Sequence, residues 1–166
     1  PRHSSSAASD VYKRQKDERL EDLQGVSVAN SSVRTGKLAA EGPILITHRG
    51  LSGPGILKLS ALGARELAKR NYQFGIRVDW TGGRGADAFT AMIMKERRGH
   101  GARKVMTRSP LPQFPRRLWE RLATAAGVTE QTSWSNLTKD QERGLAGQLL
   151  DGRFEVQGKS LNKDEF

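Results

Sequence analysis

From Phe74 to Trp80, apolar residues alternate strictly with small or charged ones: Phe74, Ile76, Val78 and Trp80 against Gly75, Arg77 and Asp79. A period of two gathers the apolar set on one face of an extended strand, whereas a helix would scatter it around its circumference. Thr81-Gly82-Gly83-Arg84-Gly85 ends the strand and reads as a flexible linker, because the periodicity changes beyond it. Phe89, Met92 and Ile93 recur at helical spacing, with Asp87 placed to cap them. Pro115 opens a second helix carrying Leu118, Leu122 and Ala126 on one stripe. Thr138-Lys139-Asp140-Gln141 has capping-box form ahead of a third helix that buries Leu145 and Leu149. Phe154 and Val156 then flank Glu155 in a last short strand.

On the N-terminal side, Val26, Val28 and Val33 alternate with small polar residues between Gly25, Asn30 and Gly36, as short strands do. Ile44-Leu45-Ile46-Thr47-His48 reads as a buried strand after Gly42-Pro43. A glycine-rich turn, Gly50 to Gly55, follows it. Ile56, Leu59, Ala64 and Leu67 then repeat at helical spacing as far as Asn71, with Ser52 and Pro54 suited to the helix N-terminus. The order is β-rich, one helix, strand, three helices, strand. It predicts an α+β fold: a β-barrel or sheet over residues 17–82 and 153–166, with one helix at about 54–70, and a helical subdomain over 83–152 inserted before the last strand.

Charge adds a second candidate role. The chain has 28 Lys+Arg against 18 Asp+Glu, a formal net charge of +10. Most of the excess lies in residues 97–121, where Arg97, Arg98, Arg103, Lys104, Arg108, Arg116, Arg117 and Arg121 face one acid, Glu120. Such a segment can neutralise phosphates and release counterions, so a basic nucleic-acid-binding module is the alternative function. Against nucleic acid stand Pro110, Pro112 and Pro115, which prevent one long basic helix, and the lack of any known binding module. Trp80, Trp119 and Trp134 are too scattered to stack bases and are expected in the core. A solvated connector is the expectation.

The absence of cysteine excludes disulfides, thiol catalysis and Cys-ligated metals, and three histidines without a paired spacing point to no metal site. No apolar run approaches the roughly 20 residues of a membrane-spanning helix, and the opening residues show no signal-peptide pattern. A cytoplasmic protein without a membrane partner is expected. Residues 1–16, rich in Ser and Ala, read as a disordered, non-native tail resembling translated adaptor sequence, and both ends suggest a fragment.

The segment Thr47-His48-Arg49-Gly50-Leu51-Ser52-Gly53-Pro54-Gly55 is the richest in chemistry. Strand, glycine turn and helix N-terminus together expose backbone N–H groups toward which a helix dipole draws an anion or the electron-rich edge of a cofactor. The plainer reading is that the glycines serve backbone shape alone. A nucleophile elbow is excluded, because Pro54 stands where G-x-S-x-G needs its last glycine. Gly50, Gly53 and Gly55 miss the G-x-G-x-x-G spacing, and no P-loop lysine follows. His48 and Ser52 lack a third, orienting acid, which argues against a hydrolase.

Gly42-Pro43-Ile44-Leu45-Ile46-Thr47-His48-Arg49-Gly50-Leu51-Ser52-Gly53-Pro54 resembles the G-x-L-L-F-T-H-x-G-x-S-G-P stretch of BaiN-type NAD(P)/FAD-dependent oxidoreductases, also described as aminoacetone oxidase family FAD-binding flavoproteins of bacteria. Leu20 to Val28 and Pro115-Arg116-Arg117-Leu118-Trp119 are similar to further stretches of that family. The resemblance implies a small translation-factor-like barrel carrying an inserted helical subdomain. It further implies that this region lies between two halves of an FAD domain in a longer parent, with those halves and a small-molecule substrate as its partners. The insert would cover the substrate side of the flavin, in an enzyme moving hydride between NAD(P)H or a reduced substrate and FAD. Alone, it would be inactive. On that reading His48 and Ser52 are the catalytic candidates, and Thr47, Gly50, Leu51, Gly53 and Pro54 face the cofactor. A third possibility is a purely structural insert.

Overall fold

A computed structural model describes residues 17–69 and 73–157. The expected N-terminal tail, residues 158–166 and the end of the first helix at Asn71 lie outside the described residues. Among the described residues seven strands, β1 (Ser27–Val28), β2 (Ser32–Thr35), β3 (Leu38–Glu41), β4 (Ile44–Thr47), β5 (Gly50–Ser52), β6 (Gln73–Asp79) and β7 (Gly152–Gln157), form two antiparallel sheets. The helices are α1 (Pro54–Leu62), α2 (Ala64–Lys69), α3 (Ala86–His100), α4 (Arg116–Ala125) and α5 (Lys139–Leu150), with short 3-10 turns at Glu18–Leu20 and Val105–Thr107. The α+β class holds.

The alternating strand predicted at 74–80 is β6, the middle of a four-stranded sheet ordered β3-β2-β6-β7. Val33 pairs with Val78, and Ile76 with Phe154, so the apolar sets of three strands meet on one side. The other sheet, ordered β1-β4-β5, turns Val28, Ile44, Ile46 and Leu51 inward to the same interior, where Ile56 and Leu59 of α1 also lie. β5 packs against β7, which draws the two sheets into a barrel-like wrap. Arg19 covers the outer edge of β7: its guanidinium lies 3.9 Å from the Phe154 ring centroid and donates to the Arg153 carbonyl. At the far edge Lys58 Nζ donates to the Glu41 carbonyl at 3.1 Å. Both contacts satisfy strand groups that would otherwise invite pairing with another chain.

Several expectations need correction. Leu38–Glu41 and Gly50–Ser52 are strands, although neither carries a β-branched run. The glycine turn over 50–55 is therefore half strand, and the reversal falls one step earlier, at His48-Arg49. The single helix expected over about 54–70 breaks at Gly63, where the chain leaves helical geometry before α2 begins. Leu45 is not buried with its neighbours but 37% exposed, because it points out of the sheet. Gly85, not Asp87, is the N-cap of α3, and Asp87 lies in the first turn, where its charge suits the helix dipole. Pro115 is the N-cap of α4, one position ahead of the helix. Thr81-Gly82-Gly83-Arg84-Gly85 is a hydrogen-bonded turn rather than a flexible linker: Asp79 Oδ1 accepts from the Thr81 N–H at 2.8 Å, and Thr81 Oγ1 accepts from the Arg84 N–H at 3.2 Å.

The helical part is organised by its tryptophans. Trp119 and Trp134 stack with ring centroids 6.4 Å apart, and Trp119 Nε1 donates to the Val105 carbonyl at 2.8 Å. Trp80 meets Phe154 edge-on at 5.7 Å, and its backbone N–H donates to the Leu149 carbonyl at 2.8 Å. All three tryptophans are buried, and one hydrophobic cluster runs from the barrel interior into the helices. The capping box at Thr138 forms in both directions: Gln141 N donates to Thr138 Oγ1 at 3.1 Å, and Thr138 N to Gln141 Oε1 at 2.9 Å.

Candidate functional site

The motif segment folds into a β4–β5 hairpin followed directly by α1. Thr47 pairs with Gly50, Ile46 with Leu51 and Leu45 with Ser52, which leaves His48-Arg49 as a two-residue reversal. Thr47 fastens it, since its Oγ1 lies 3.2 Å from the Arg49 N–H and 3.3 Å from the Gly50 carbonyl, accepting from the first and donating to the second. Gly50, at φ +123, supplies backbone geometry that an L side chain resists.

Alternation sorts the side chains. Ile46 and Leu51 point into the barrel, so Leu51 can offer an outside ligand only its backbone. Leu45, Thr47 and Ser52 share the outer face, with His48 exposed at the tip. Ser52 and His48 make no side-chain hydrogen bond among the described residues, so both keep their donors and acceptors available. The structure thus brings Thr47, Gly50 and Ser52 together on one outward face, places His48 at its end and turns Leu51 away. Leu45 was missed in the sequence because a run of three aliphatic residues hides which one faces out.

The helix N-terminus differs from a generic anion cradle. Pro54 has no N–H, and the Gly55 N–H donates to the Pro43 carbonyl at 3.0 Å. Gly53 is the N-cap at φ 97, and a Cβ there would lie 2.8 Å from Leu45 N and 2.9 Å from Pro43 O. A Cβ on Gly55 would lie 3.1 Å from the Gly42 carbonyl oxygen. Close backbone crossing inside the domain therefore accounts for both glycines, and few N–H groups remain for a phosphate. Among the described residues, no group of three or more His, Asp and Glu is arranged to hold a metal.

The basic stretch also resolves into parts. Arg97 donates to the carbonyls of Trp134 (3.2 Å) and Leu137 (2.9 Å) and pairs with Glu142 at 2.9 Å. Arg121 donates to the Glu18 carbonyl at 3.0 Å and Lys104 to that of Gln131 at 3.1 Å. These cations tie the helices to their surroundings rather than standing on an open connector.

A barrel of short antiparallel strands with a helical unit before its last strand is the architecture of a family of FAD-dependent oxidoreductases. The chain matches the HI0933-like protein barrel and H2TH domain over residues 11–166, and it belongs to that family. The barrel and the helical unit of that description have their counterparts in β1–β7 and α3–α5. A comparison with curated proteins finds no match.

Proposed function

We propose that the outer face of the β4–β5 hairpin covers the substrate side of the flavin in a longer BaiN-type parent enzyme. The observation that carries this reading is the shared outward face of Leu45, Thr47 and Ser52, with His48 at its end. An apolar patch bordered by hydroxyls suits a flat heteroaromatic ring whose edge carries donors and acceptors. Bound flavin supplies the hydride and electron chemistry, between NAD(P)H or a reduced substrate and an acceptor. The chain's own residues exclude water with Leu45, offer a hydrogen bond from Ser52 and hold a proton donor or orienter, the His48 imidazole, beside the reacting substrate. Thr47 and Gly50 set the hairpin that aims it, while Gly53 and Pro54 carry the backbone past the same face.

The fit is partial. The face suits contact with the ring, but the spent Gly55 N–H and the lack of G-x-G-x-x-G leave no cradle for the flavin's pyrophosphate beside the hairpin. FAD would be held elsewhere in the parent, whose FAD-domain halves are this domain's partners in a bacterial cytoplasm.

The test uses the full-length parent. His48→Ala and Ser52→Ala are expected to slow flavin reduction by roughly 10- to 100-fold, with FAD content unchanged. Wild-type reduction and turnover in both variants would overturn the assignment.

A further inference from the structure

The exposed side of the four-stranded sheet carries three arginines in one cross-strand row. Arg34 on β2 stands opposite Arg77 on β6, and Arg77 stands opposite Arg153 on β7. Like charges placed directly opposite one another destabilise a sheet, so such a row calls for anions. The protein supplies one carboxylate for it. Asp151, just beyond α5, reaches Arg34 at 3.2 Å and Arg77 at 3.4 Å. Each contact uses a single guanidinium nitrogen, and most of the five donors on each arginine stay available. Arg153 has no carboxylate within ion-pair distance among the described residues.

The row borders a groove of about 1270 Å3. Beside the row the sheet is bare at Gly75, and Glu155 lies over it, its Oε1 3.2 Å from where a Cβ would sit. Glu155 has no hydrogen-bond partner among the described residues, so its carboxylate can accept from a ligand.

We propose that this groove binds a small phosphorylated ligand, with the phosphate on the Arg34–Arg77–Arg153 row and a sugar hydroxyl donating to Glu155. Guanidinium forks match the oxygens of phosphate in pairs, which is the recognition that adjacent arginines perform best. Charge balance selects a compact anion over a polynucleotide. Arg19 is neutralised by Asp17, and with Asp151, Glu155 and Glu18 the acids around the groove equal the arginines in number. A nucleic-acid backbone needs a net basic surface along its track. A single phosphate group needs only the local cluster.

Calorimetric titration of the 166-residue chain with inorganic pyrophosphate and, separately, with ADP at fixed ionic strength tests the proposal. Saturable binding of both ligands is expected. Arg77→Gln should weaken both by about tenfold or more. Asp151→Asn should tighten both by about threefold, since it removes the competing carboxylate. A merely structural arginine row would not produce that gain. Glu155→Gln removes a negative charge from the groove and an acceptor from the sugar, so it should weaken ADP relative to pyrophosphate, which separates the ester from the free anion. Circular dichroism should show every variant folded. Four results would overturn the proposal: no saturable heat with either ligand up to roughly 10 mM, equal affinity in wild type and Arg77→Gln, binding of an oligonucleotide but of neither small ligand, or a ratio of ADP to pyrophosphate affinity indifferent to Glu155→Gln.

Discussion

Gly53 lies directly beneath Leu45: a Cβ added to the glycine would sit 2.8 Å from the Leu45 backbone nitrogen. The outward-facing leucine of the proposed flavin face and the N-cap of α1 are thus held in register by the lack of one carbon atom. Gly53→Ala is expected to cost about 3 kcal/mol, because it adds a backbone clash to a φ of +97 that only glycine adopts freely. Gly50→Ala should cost roughly 1–2 kcal/mol, since no atom lies within 4 Å of its Cβ position and only the backbone strain remains. Urea unfolding of the two variants checks the order; equal losses would contradict it.

Arg97 and Arg98 are neighbours with opposite expected behaviour. Arg97→Met strands two carbonyls and the Glu142 carboxylate, and should destabilise by about 2–3 kcal/mol. Arg98 is exposed and makes no hydrogen bond or ion pair among the described residues, so Arg98→Met should stay within about 0.5 kcal/mol of wild type. Thermal and urea denaturation distinguish the pair. Matching stabilities would return Arg97 to the solvated connector that composition alone suggests.

The capping box offers a graded series. Thr138→Ala removes the hydroxyl acceptor and should cost about 1 kcal/mol. Gln141→Ala should cost at least as much, because Gln141 also donates from Nε2 to the Gly127 carbonyl at 2.9 Å and so pins the turn between α4 and α5. Hydrogen exchange at the first turn of α5 should rise in both variants, and at Gly127–Thr129 chiefly in the second.

Much of this architecture can be read from the residues. The strict alternation of β6, the Phe154/Val156 pair of β7, the Thr138 box and the burial of three tryptophans all arise from local period or side-chain size. β3 and β5 are different. Leu38-Ala39-Ala40-Glu41 and Gly50-Leu51-Ser52 have weak strand character, and they are extended because β2 and β4 offer them partners. The same limit applied at the site. The motif marked where chemistry could lie, but which residues face outward depends on hairpin register, and that hid Leu45. The arginine row was equally hidden, since residues 34, 77 and 153 meet only through strand pairing.

Gly82, Gly83 and Gly85 would be the natural place to put a pivot between strands and helices. Yet the chain on one side, at Trp80, is bonded to Leu149 in the last helix and rests on Phe154 in the strand beyond it. A joint whose two arms are clamped to each other has no stroke. Swinging the helices away would expose Trp80, a surface whose burial alone is worth about 2–3 kcal/mol. In the proposed role of a cover over the flavin, barrel and helices would act as a single rigid plate, with the His48 tip fixed in place relative to α5.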